Sequence, residues 1–145
     1  MSPVVYYKFL EVYAVIGNDS ESAMLQRALD GTWQRQKAIS NNIANIETPG
    51  YKAQKVTFEA ALAKEMKNYS QYSGSEKEQG VQNILDSNIT LNSDSSTSER
   101  LDGNNVNIDS ENIELAKTQI QYQYLVRSMT DMYSRLRYAV TEGRK

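Results

Sequence analysis

The chain has 145 residues, a formal net charge of −2, and neither cysteine nor histidine. A chain of this length forms one compact domain or one extended subunit of an assembly. The missing residue types exclude disulfide staples, thiolate nucleophiles and zinc fingers, and the slightly acidic balance argues against a protein that coats nucleic acid.

The first stretch, residues 4–16, is β-branched and aromatic but contains Lys8 and Glu11. It is shorter than the roughly 20 apolar residues that cross a bilayer as a helix. It also lacks a basic leader and a clean small-residue cleavage site, so we do not interpret it as a signal peptide. Residues 1–17 are therefore predicted to be an N-terminal extension, and both a strand and an early helical turn remain open.

A long helix is predicted next, starting at a cap provided by Asn18, Asp19 or Ser20. One face of this helix forms a heptad seam, in which the residues follow each other at alternating steps of four and three. The seam consists of Leu25, Leu29, Thr32, Gln36, Ile39, Ile43 and Ile46. The helix should end before Pro49, because proline disfavours helical geometry at the preceding residue. Pro49 and Gly50 fit the two central positions of a type II turn.

A shorter helix is expected after Thr57, a possible cap, with one apolar face made of Phe58, Leu62, Met66 and Tyr69. Residues 68–105 are then rich in Ser, Asn, Asp, Gly and Gln, with only scattered apolar residues. Such a segment buries too little apolar surface to offset its ordering entropy. We therefore expect a loop or a disordered arm here, with a short strand near residues 84–91.

The C-terminal helix has the clearest pattern in the chain. Asp109 can cap it, and Glu111 and Glu114 place negative charge in its first turns, where the helix dipole favours it. Its apolar stripe steps by three and four through Leu115, Thr118, Tyr122, Leu125, Met129, Met132, Leu136 and Ala139. A helix this long extends about 45–50 Å.

These elements predict an all-α fold in which long N- and C-terminal amphipathic helices pair in coiled-coil fashion, with one shorter helix and a polar flexible middle. We divide the chain into residues 1–17 (extension), 18–69 (N-terminal helical region), 70–105 (polar arm) and 106–145 (C-terminal helix), all within one assembly domain. The seams can pack within one chain or between chains. Large apolar residues outside the main stripes favour contacts between chains, namely Trp33, Ile113, Ile120, Tyr124, Val126, Tyr133 and Tyr138.

Other functional classes are weaker interpretations of the same residues. The carboxylates at 109, 111 and 114 could form a catalytic pair, but acidic residues that open a helix are typical dipole partners. The C-terminal end of the last helix is basic, with Arg135 and Arg137. These positive charges complement the negative end of the helix dipole, so nucleic-acid binding is not needed to explain them. No catalytic, cofactor or metal site is predicted. A cytoplasmic coiled-coil adaptor protein remains an alternative function.

Two motifs resemble a known family. Residues 34–52, which read QRQKAISNNIANIETPGYK, resemble the N-terminal signature of bacterial flagellar rod and hook proteins, in which an Asn-Asn-Ile-Ala-Asn core precedes a Thr-Pro-Gly-Tyr turn. Residues 103–109, which read GNNVNID, resemble the proximal rod members, together with Glu111, residues 114–116, Gln119, Tyr122 and the terminal region 135–137. The short middle also fits those members, since hook and distal rod subunits carry large inserted β-domains.

The resemblance implies a structural subunit of the proximal rod, the drive shaft of the flagellar basal body, with no enzymatic activity, no cofactor and no small-molecule substrate. It implies partners among copies of the same chain, other rod proteins, membrane-ring and export-gate components, and the flagellar type III export apparatus. It also implies a location in the rod, across the periplasmic space or cell-wall layer, after export from the cytoplasm without a cleaved signal peptide. Another subunit of the rod family remains an alternative.

The seams and the signature together predict an assembly interface. Its residues are Leu25, Leu29, Trp33, Ile39, Asn41, Asn42, Ile43, Asn45, Ile46, Pro49, Gly50, Tyr51, Leu115, Tyr122, Leu125, Met129, Met132 and Leu136. For the three asparagines two roles remain open. They can help to terminate the first helix, or their amides can bond to neighbouring subunits.

Overall fold

A computed structural model describes residues 20–95 and 100–141, and within these ranges the chain forms four helices and two short strands. The elements are α1 (Ser20–Ala44), β1 (Gln54–Thr57), α2 (Glu59–Tyr69), α3 (Glu76–Leu85), β2 (Thr90–Ser93) and α4 (Ile108–Val140). The predicted extension over residues 1–17 and the candidate caps Asn18 and Asp19 lie outside the described residues. The predicted mainly helical fold is confirmed.

The two long helices, α1 and α4, pack against each other in antiparallel orientation. Arg135 near the end of α4 donates to Glu21 at the start of α1 at 3.2 Å, and Asn42 near the end of α1 donates to Glu111 at the start of α4 at 3.1 Å. The seams predicted from the sequence form this contact, and their buried members are Leu25, Thr32, Ile39, Thr118, Leu125 and Met132. The helices therefore pair within one chain, while a coiled-coil geometry stays a prediction.

Two threonines replace apolar residues inside this seam without leaving polar atoms unpaired. The Thr32 hydroxyl donates to the Ala28 carbonyl at 2.7 Å, and the Thr118 hydroxyl donates to the Glu114 carbonyl at 2.7 Å. Each hydroxyl thus has its hydrogen-bond acceptor on its own helix, one turn earlier in the chain. This explains how both can be almost completely buried.

The start of α2 is held against α1 by a close contact between a glycine and an aromatic ring. A Cβ atom added to Gly31 would lie 2.5 Å from the ring of Phe58, so only glycine allows this approach. The Arg35 guanidinium lies 4.9 Å from the centre of the same ring. The predicted apolar face of α2 is confirmed, since Phe58 and Leu62 are buried and Met66 and Tyr69 pack against the core.

The expectation of a loop over residues 76–85 is wrong, because this stretch forms α3. Val81 and Ile84 lie three residues apart on one helical face, and both are buried in the core shared with α1 and α2. The Arg27 guanidinium on α1 donates to the Ser87 carbonyl just after α3 and fixes the end of the helix. Flexibility of the polar middle stays a prediction.

The two strands form a small antiparallel sheet that the sequence predicted only in part. Gln54 pairs with Ser93 and Thr57 pairs with Thr90. The strand expected near residues 84–91 overlaps β2 only at its last two positions, and β1 was not predicted. The sheet carries the chain from the end of α1 across to α2.

Some helix ends differ from the sequence prediction. Helix α1 ends at Ala44 instead of Ile46, and α2 begins with Phe58 at the cap position, without a side-chain cap from Thr57. The cap of α4 is Asn107 and not Asp109, because the Asn107 Oδ1 atom accepts from the Asp109 and Ser110 N–H groups at 3.0 and 3.1 Å.

The turn predicted at Pro49 and Gly50 is present. The Tyr51 N–H donates to the Thr48 carbonyl at 3.2 Å across these two residues. Gly50 has a φ of 72°, close to the value that a type II turn requires at its third position. The chain therefore leaves α1 in a direction fixed by this turn.

Candidate assembly interface

Asn42 is the centre of a buried hydrogen-bonded junction at the end of α1. Its Nδ2 group donates to the Gln54 carbonyl at 2.9 Å and to the Glu111 carboxylate at 3.1 Å. Its Oδ1 atom accepts from the Gln54 N–H at 2.8 Å and from the Tyr51 hydroxyl at 3.2 Å. The side chain is only 1% exposed. One amide thus connects α1, the turn, β1 and α4.

Asn104 forms the second half of the junction from the segment before α4. Its Nδ2 group lies within 2.9–3.0 Å of the carbonyl oxygens of Asn45, Ile46 and Thr48, so its two hydrogens are shared among three acceptors. Its Oδ1 atom accepts from the Val106 N–H at 2.8 Å. This side chain therefore adds a second donor to each of three carbonyl groups at the end of α1 and in the following turn, which already accept from Thr48, Arg100 and Tyr51.

The Asn105 side chain and one backbone contact extend this set of hydrogen bonds. The Asn105 Oδ1 atom accepts from the Ala53 N–H at 2.8 Å, and its Nδ2 group donates to the Asp94 carbonyl at 2.9 Å. The Gly50 N–H donates to the Asp102 carbonyl at 2.8 Å. The two sequence motifs singled out above, residues 34–52 and 103–109, are thus bonded to each other in the folded chain.

Two ionisable side chains at the junction and one at the start of α2 have shifted pKa values. Burial raises the pKa of Tyr51, and the Glu111 carboxylate raises it further, so the phenol keeps the proton it donates to Asn42. The Asn104 N–H lowers the pKa of Asp102 against a smaller effect of desolvation, with Arg100 adding to the decrease. For Glu59, burial raises the pKa, but hydrogen bonds from Arg35 and from backbone N–H groups outweigh it, and the pKa is lowered.

The residues predicted as an assembly interface divide into three groups by exposure. Within the chain the buried group consists of Leu25, Ile39, Asn42, Leu125 and Met132. The half-buried group consists of Leu29, Ile43, Asn45, Ile46, Tyr51, Leu115, Met129 and Leu136. The exposed group consists of Trp33, Asn41, Pro49, Gly50 and Tyr122. Only the last two groups offer surface to another molecule.

The asparagine cluster is accounted for largely within the chain. Asn42 uses both ends of its amide on groups of the same molecule, as described above. The Asn45 Nδ2 group donates to the Asn41 carbonyl at 2.8 Å, and its Oδ1 atom accepts from the Thr48 hydroxyl at 3.1 Å. These contacts favour the helix-terminating role over bonds to neighbouring subunits, and a contact between Asn41 and a neighbour stays a prediction.

Large apolar side chains project from α4 on the side opposite α1. Ile113, Ile120, Tyr124 and Tyr138 are 57–70% exposed, and their positions repeat at steps that keep them on one side of the helix. We call these four residues the outer face. Exposed apolar side chains in such a row are typical of a surface that contacts another protein.

A second exposed apolar feature lies on α1 and β2. Trp33 on α1 is 58% exposed and Leu91 on β2 is 55% exposed. Both line a groove of about 340 Å³ whose floor includes Ala38 and Val56, and Lys37 stands 5.7 Å from the Trp33 ring. The chain thus presents apolar surface on α1 and on α4 at once.

Sequence reasoning missed several residues of the junction. It took Glu111 as a dipole partner, whereas the carboxylate is 8% exposed and binds Asn42. It quoted Asn104 and Asn105 only as part of a motif. The row of three asparagines within four residues ahead of a helix was the available signal, since asparagine amides commonly satisfy turn backbones.

Two kinds of site are absent from the described part of the chain. Residues 20–95 and 100–141 contain no group of three or more acidic side chains that could hold a metal ion. None of the helices in these ranges is long and apolar enough to span a membrane.

Comparison with known proteins assigns the first of the two motifs to a known family. A sequence profile of the family described as "Flagella basal body rod protein" matches residues 23–52, which include most of α1 and the turn after it.

Individual relatives extend the similarity to most of the chain. The flagellar basal body rod protein FlgB of Bacillus subtilis is 38% identical over 120 residues, which cover 83% of this chain and 92% of that protein. FlgB of Borrelia hermsii is 37% identical over 107 residues (68% and 79%), and FlgB of Salmonella typhimurium is 32% identical over 117 residues (72% and 81%).

Proposed function

The chain belongs to the FlgB-type flagellar basal body rod proteins, and we propose from this premise that it builds the proximal part of the rod through the exposed apolar surfaces of α1 and α4. It is a structural subunit of the rod and not an enzyme. Its place is the flagellar basal body, where it assembles with other rod components.

The outer face of α4 is the observation that carries this proposal. Its four side chains, Ile113, Ile120, Tyr124 and Tyr138, are more than half exposed although each would gain by burial. A helix covered on one side by α1 and apolar on the other needs a second neighbour. In a rod made of many subunits, that neighbour is an adjacent subunit.

The groove beside Trp33 provides a different surface on the same molecule. Open helical assemblies form when one surface of a subunit binds a different surface of the next, because such contacts do not close on themselves. An aromatic side chain beside a groove is a common anchor at protein interfaces. We propose that this groove receives a neighbouring subunit while the outer face contacts another one.

The junction around Asn42 and Asn104 has a supporting role in this proposal. It fixes the angle between the end of α1, the small sheet and the start of α4. Torque transmitted through the outer face would otherwise bend the subunit where α4 begins. The buried seam residues, such as Leu125, act in the same indirect way by keeping α4 on α1.

The finer features implied by the family resemblance remain part of the proposal. They are contacts of the predicted interface residues with sister subunits, contacts with membrane-ring and export-gate components, and export by the flagellar type III apparatus without a cleaved signal peptide. The exposed and half-buried members of that set, Trp33 and Tyr122 among them, are the ones that can touch a neighbour directly.

A substitution on the outer face tests the proposal. Ile120→Asp places a charge on a side chain that is 68% exposed, so the isolated subunit should keep its fold and its helix content. We expect loss of swimming motility and loss of the protein from detergent-extracted basal bodies. Gln123→Asp is the matched control, since residue 123 is exposed on the same helix but outside the apolar row.

The readouts separate assembly from folding. Circular dichroism and thermal unfolding of the purified variant establish whether the subunit is intact. Normal incorporation of the Ile120→Asp variant into basal bodies would contradict the proposed role of the outer face, as would equal loss in both variants.

A further inference from the structure

The small sheet leaves one edge of β2 open. In the described ranges the sheet consists of two strands, so β2 pairs with β1 on one side only. All four residues of β2, Thr90–Ser93, are exposed. The backbone groups along its other side therefore decide what this part of the molecule can bind.

The register determines which backbone groups point away from the sheet. Just beyond the strand ends, the Asp94 N–H donates to the Ala53 carbonyl at 2.7 Å. In an antiparallel pair, residues that exchange such bonds alternate with residues whose N–H and C=O groups point outwards. By this alternation Asn92 bonds to β1, whereas Leu91 and Ser93 direct their N–H and C=O groups away from it. We call these two residues the open edge.

The other edge of the sheet confirms this alternation. Gln54 and Val56 lie opposite the two residues of the open edge, so their backbone groups also point outwards, on the side of β1. Asn42 binds both backbone groups of Gln54, and Arg35 binds the Val56 carbonyl. Helix α1 thus covers the edge of β1. No hydrogen bond of this kind reaches the open edge from residues 20–95 or 100–141.

The open edge also lacks the features that usually prevent strand pairing. Exposed edge strands commonly carry a lysine, a proline or a bulge that blocks another strand. The sequence of β2 is Thr-Leu-Asn-Ser, with neither a charge nor a proline, and its pairing with β1 runs without a bulge over four residues. An extended segment of another polypeptide can therefore pair with it.

One face of the sheet continues into the groove beside Trp33. Val56 and Leu91 both line this groove, and the side chain of an added residue opposite Leu91 would point to the same face. Leu91 is 55% exposed, so an apolar side chain there would bury surface on both strands. On the opposite face Lys55 and Asn92 are exposed and polar. The sheet thus fits a segment in which apolar and polar residues alternate.

We propose that β2 accepts an extended segment of an adjacent rod subunit as a third strand, with an apolar side chain packed against Leu91. This proposal rests on the proposed function and specifies how the groove side of the molecule receives its neighbour. Leu91 and Ser93 present N–H and C=O groups about 7 Å apart, which is the repeat of an extended chain. A helix cannot match them, because its own backbone bonds use these groups.

A second copy of the chain could instead pair its own β2 with this one around a two-fold axis. Two strands of four residues bury far less than the roughly 1,000 Å² of a stable interface. Such a pair would also close on itself, whereas a rod requires contacts between different surfaces. In the rod, the outer face and the groove supply the remaining contact area, so the third strand forms only on assembly.

Proline at position 93 tests the proposal. Ser93→Pro removes an outward N–H and places a ring on the open edge, but it leaves the bonds between β1 and β2 intact. Ser93→Ala is the matched control, because it removes the hydroxyl and keeps the N–H. We expect both subunits to keep the natural helix content and thermal unfolding, while detergent-extracted basal bodies contain about tenfold less of the proline variant. Equal incorporation of the two variants would overturn the proposal.

Hydrogen exchange of the natural chain provides a second test that does not depend on the folding of a variant. In the isolated subunit the Leu91 and Ser93 amides should exchange faster than the Asn92 amide, which is bonded to β1. In purified basal bodies all three amides should be slow, with those of Leu91 and Ser93 slowed about 100-fold or more. Unchanged exchange of these two amides in basal bodies would refute the third strand.

Comparison with the outer face separates this proposal from the proposed function. If Ser93→Pro assembles normally while Ile120→Asp does not, the third strand is refuted and the proposed function stands. If Ile120→Asp assembles normally while Ser93→Pro is lost from basal bodies, the role of the outer face is refuted and the third strand stands.

An engineered cysteine distinguishes the second copy as the occupant. In a two-fold pair of β2 strands the two Asn92 residues would face each other, with Leu91 of each copy opposite Ser93 of the other. We expect the isolated Asn92→Cys variant to stay monomeric under mild oxidation. Rapid formation of disulfide-linked dimers would overturn the proposal and assign the open edge to a second copy.

Discussion

Replacing Asn42 by alanine tests the central hydrogen-bonded junction. The side chain is 1% exposed and makes four hydrogen bonds of 2.8–3.2 Å, two with the Gln54 backbone and one each with Glu111 and Tyr51. Asn42→Ala removes all four and leaves a cavity behind. The polar partners stay in place without the amide that satisfied them.

The magnitude follows from these partners. A typical hydrogen bond contributes about 1 kcal/mol net, while a buried group left unpaired costs about 1–3 kcal/mol. Glu111 is buried, whereas Gln54 and Tyr51 are half-buried and can bind water in part. We therefore expect a loss of about 3–4 kcal/mol in the free energy of unfolding. That is a large part of the 5–15 kcal/mol typical of a domain.

Urea unfolding followed by circular dichroism measures this loss, and Asn41→Ala provides the control. Asn41 is the neighbouring residue in the same helix, and its side chain is exposed. Its replacement should change the free energy of unfolding by less than about 0.5 kcal/mol. A loss for Asn42→Ala no larger than that for Asn41→Ala would refute the role assigned to the junction.

Three further changes probe the packing and the charges. Gly31→Ala adds a methyl group 2.5 Å from the Phe58 ring, so we expect a loss of about 1–3 kcal/mol in thermal or urea unfolding. Leu125→Ala empties part of the α1–α4 seam and should cost about 2–5 kcal/mol by the same measurement. Glu59 has a lowered pKa in the folded chain, so its stabilising effect is present above the ordinary carboxyl pKa and disappears as the pH falls through the folded value. The difference in stability between the natural chain and Glu59→Gln, a fraction of a kcal/mol, should therefore shrink below about pH 4.5.

Controls for these changes come from exposed positions. Ser40→Ala, on the exposed side of α1, should leave stability unchanged, and Tyr124→Ala should do the same on α4. Losses there equal to those of Gly31→Ala or Leu125→Ala would contradict the packing described. A stability difference for Glu59→Gln that stays constant from pH 7 to pH 3 would contradict the assigned ion pair.

The long helices and their apolar seams could be predicted from the sequence because heptad spacing is a local property. Leu125 and Met132 were identified as seam residues, and both are buried. The spacing did not specify the partner, since a seam of this kind packs equally well within a chain or between chains. The hydrogen bonds between Asn42 and Glu111, and between Arg135 and Glu21, establish the pairing within one chain.

Helix α3 was not predicted, because the polar composition of its segment was given more weight than the spacing of its few apolar residues. Serine, asparagine and glutamine dominate the surrounding segment, and within α3 itself only Val81, Ile84 and Leu85 are large and apolar. These three residues are nevertheless enough for one face of a short helix, because α1 and α2 provide the rest of the core. Tertiary packing, not local propensity, decides the structure of such a segment.

The junction was beyond sequence reasoning for a different reason. Asn104 binds carbonyl groups 56–59 residues earlier in the chain, and no periodicity connects such positions. Strand β1 was missed in the same way, since of its four residues only Val56 is buried. The periodicity of one sequence indicates which residues share a face of a helix or strand, but it does not indicate contacts between loops that are far apart in the chain.

The chemistry of the Asn104 clamp has a consequence for the environments in which the subunit can work. The amide of Asn104 and the three carbonyl groups it binds are electrically neutral. Dissolved ions weaken attraction between charges, but they have little effect on bonds between uncharged dipoles. The contacts that Asn104 makes at the corner between the first helix and the last should therefore persist in dilute and in concentrated salt alike.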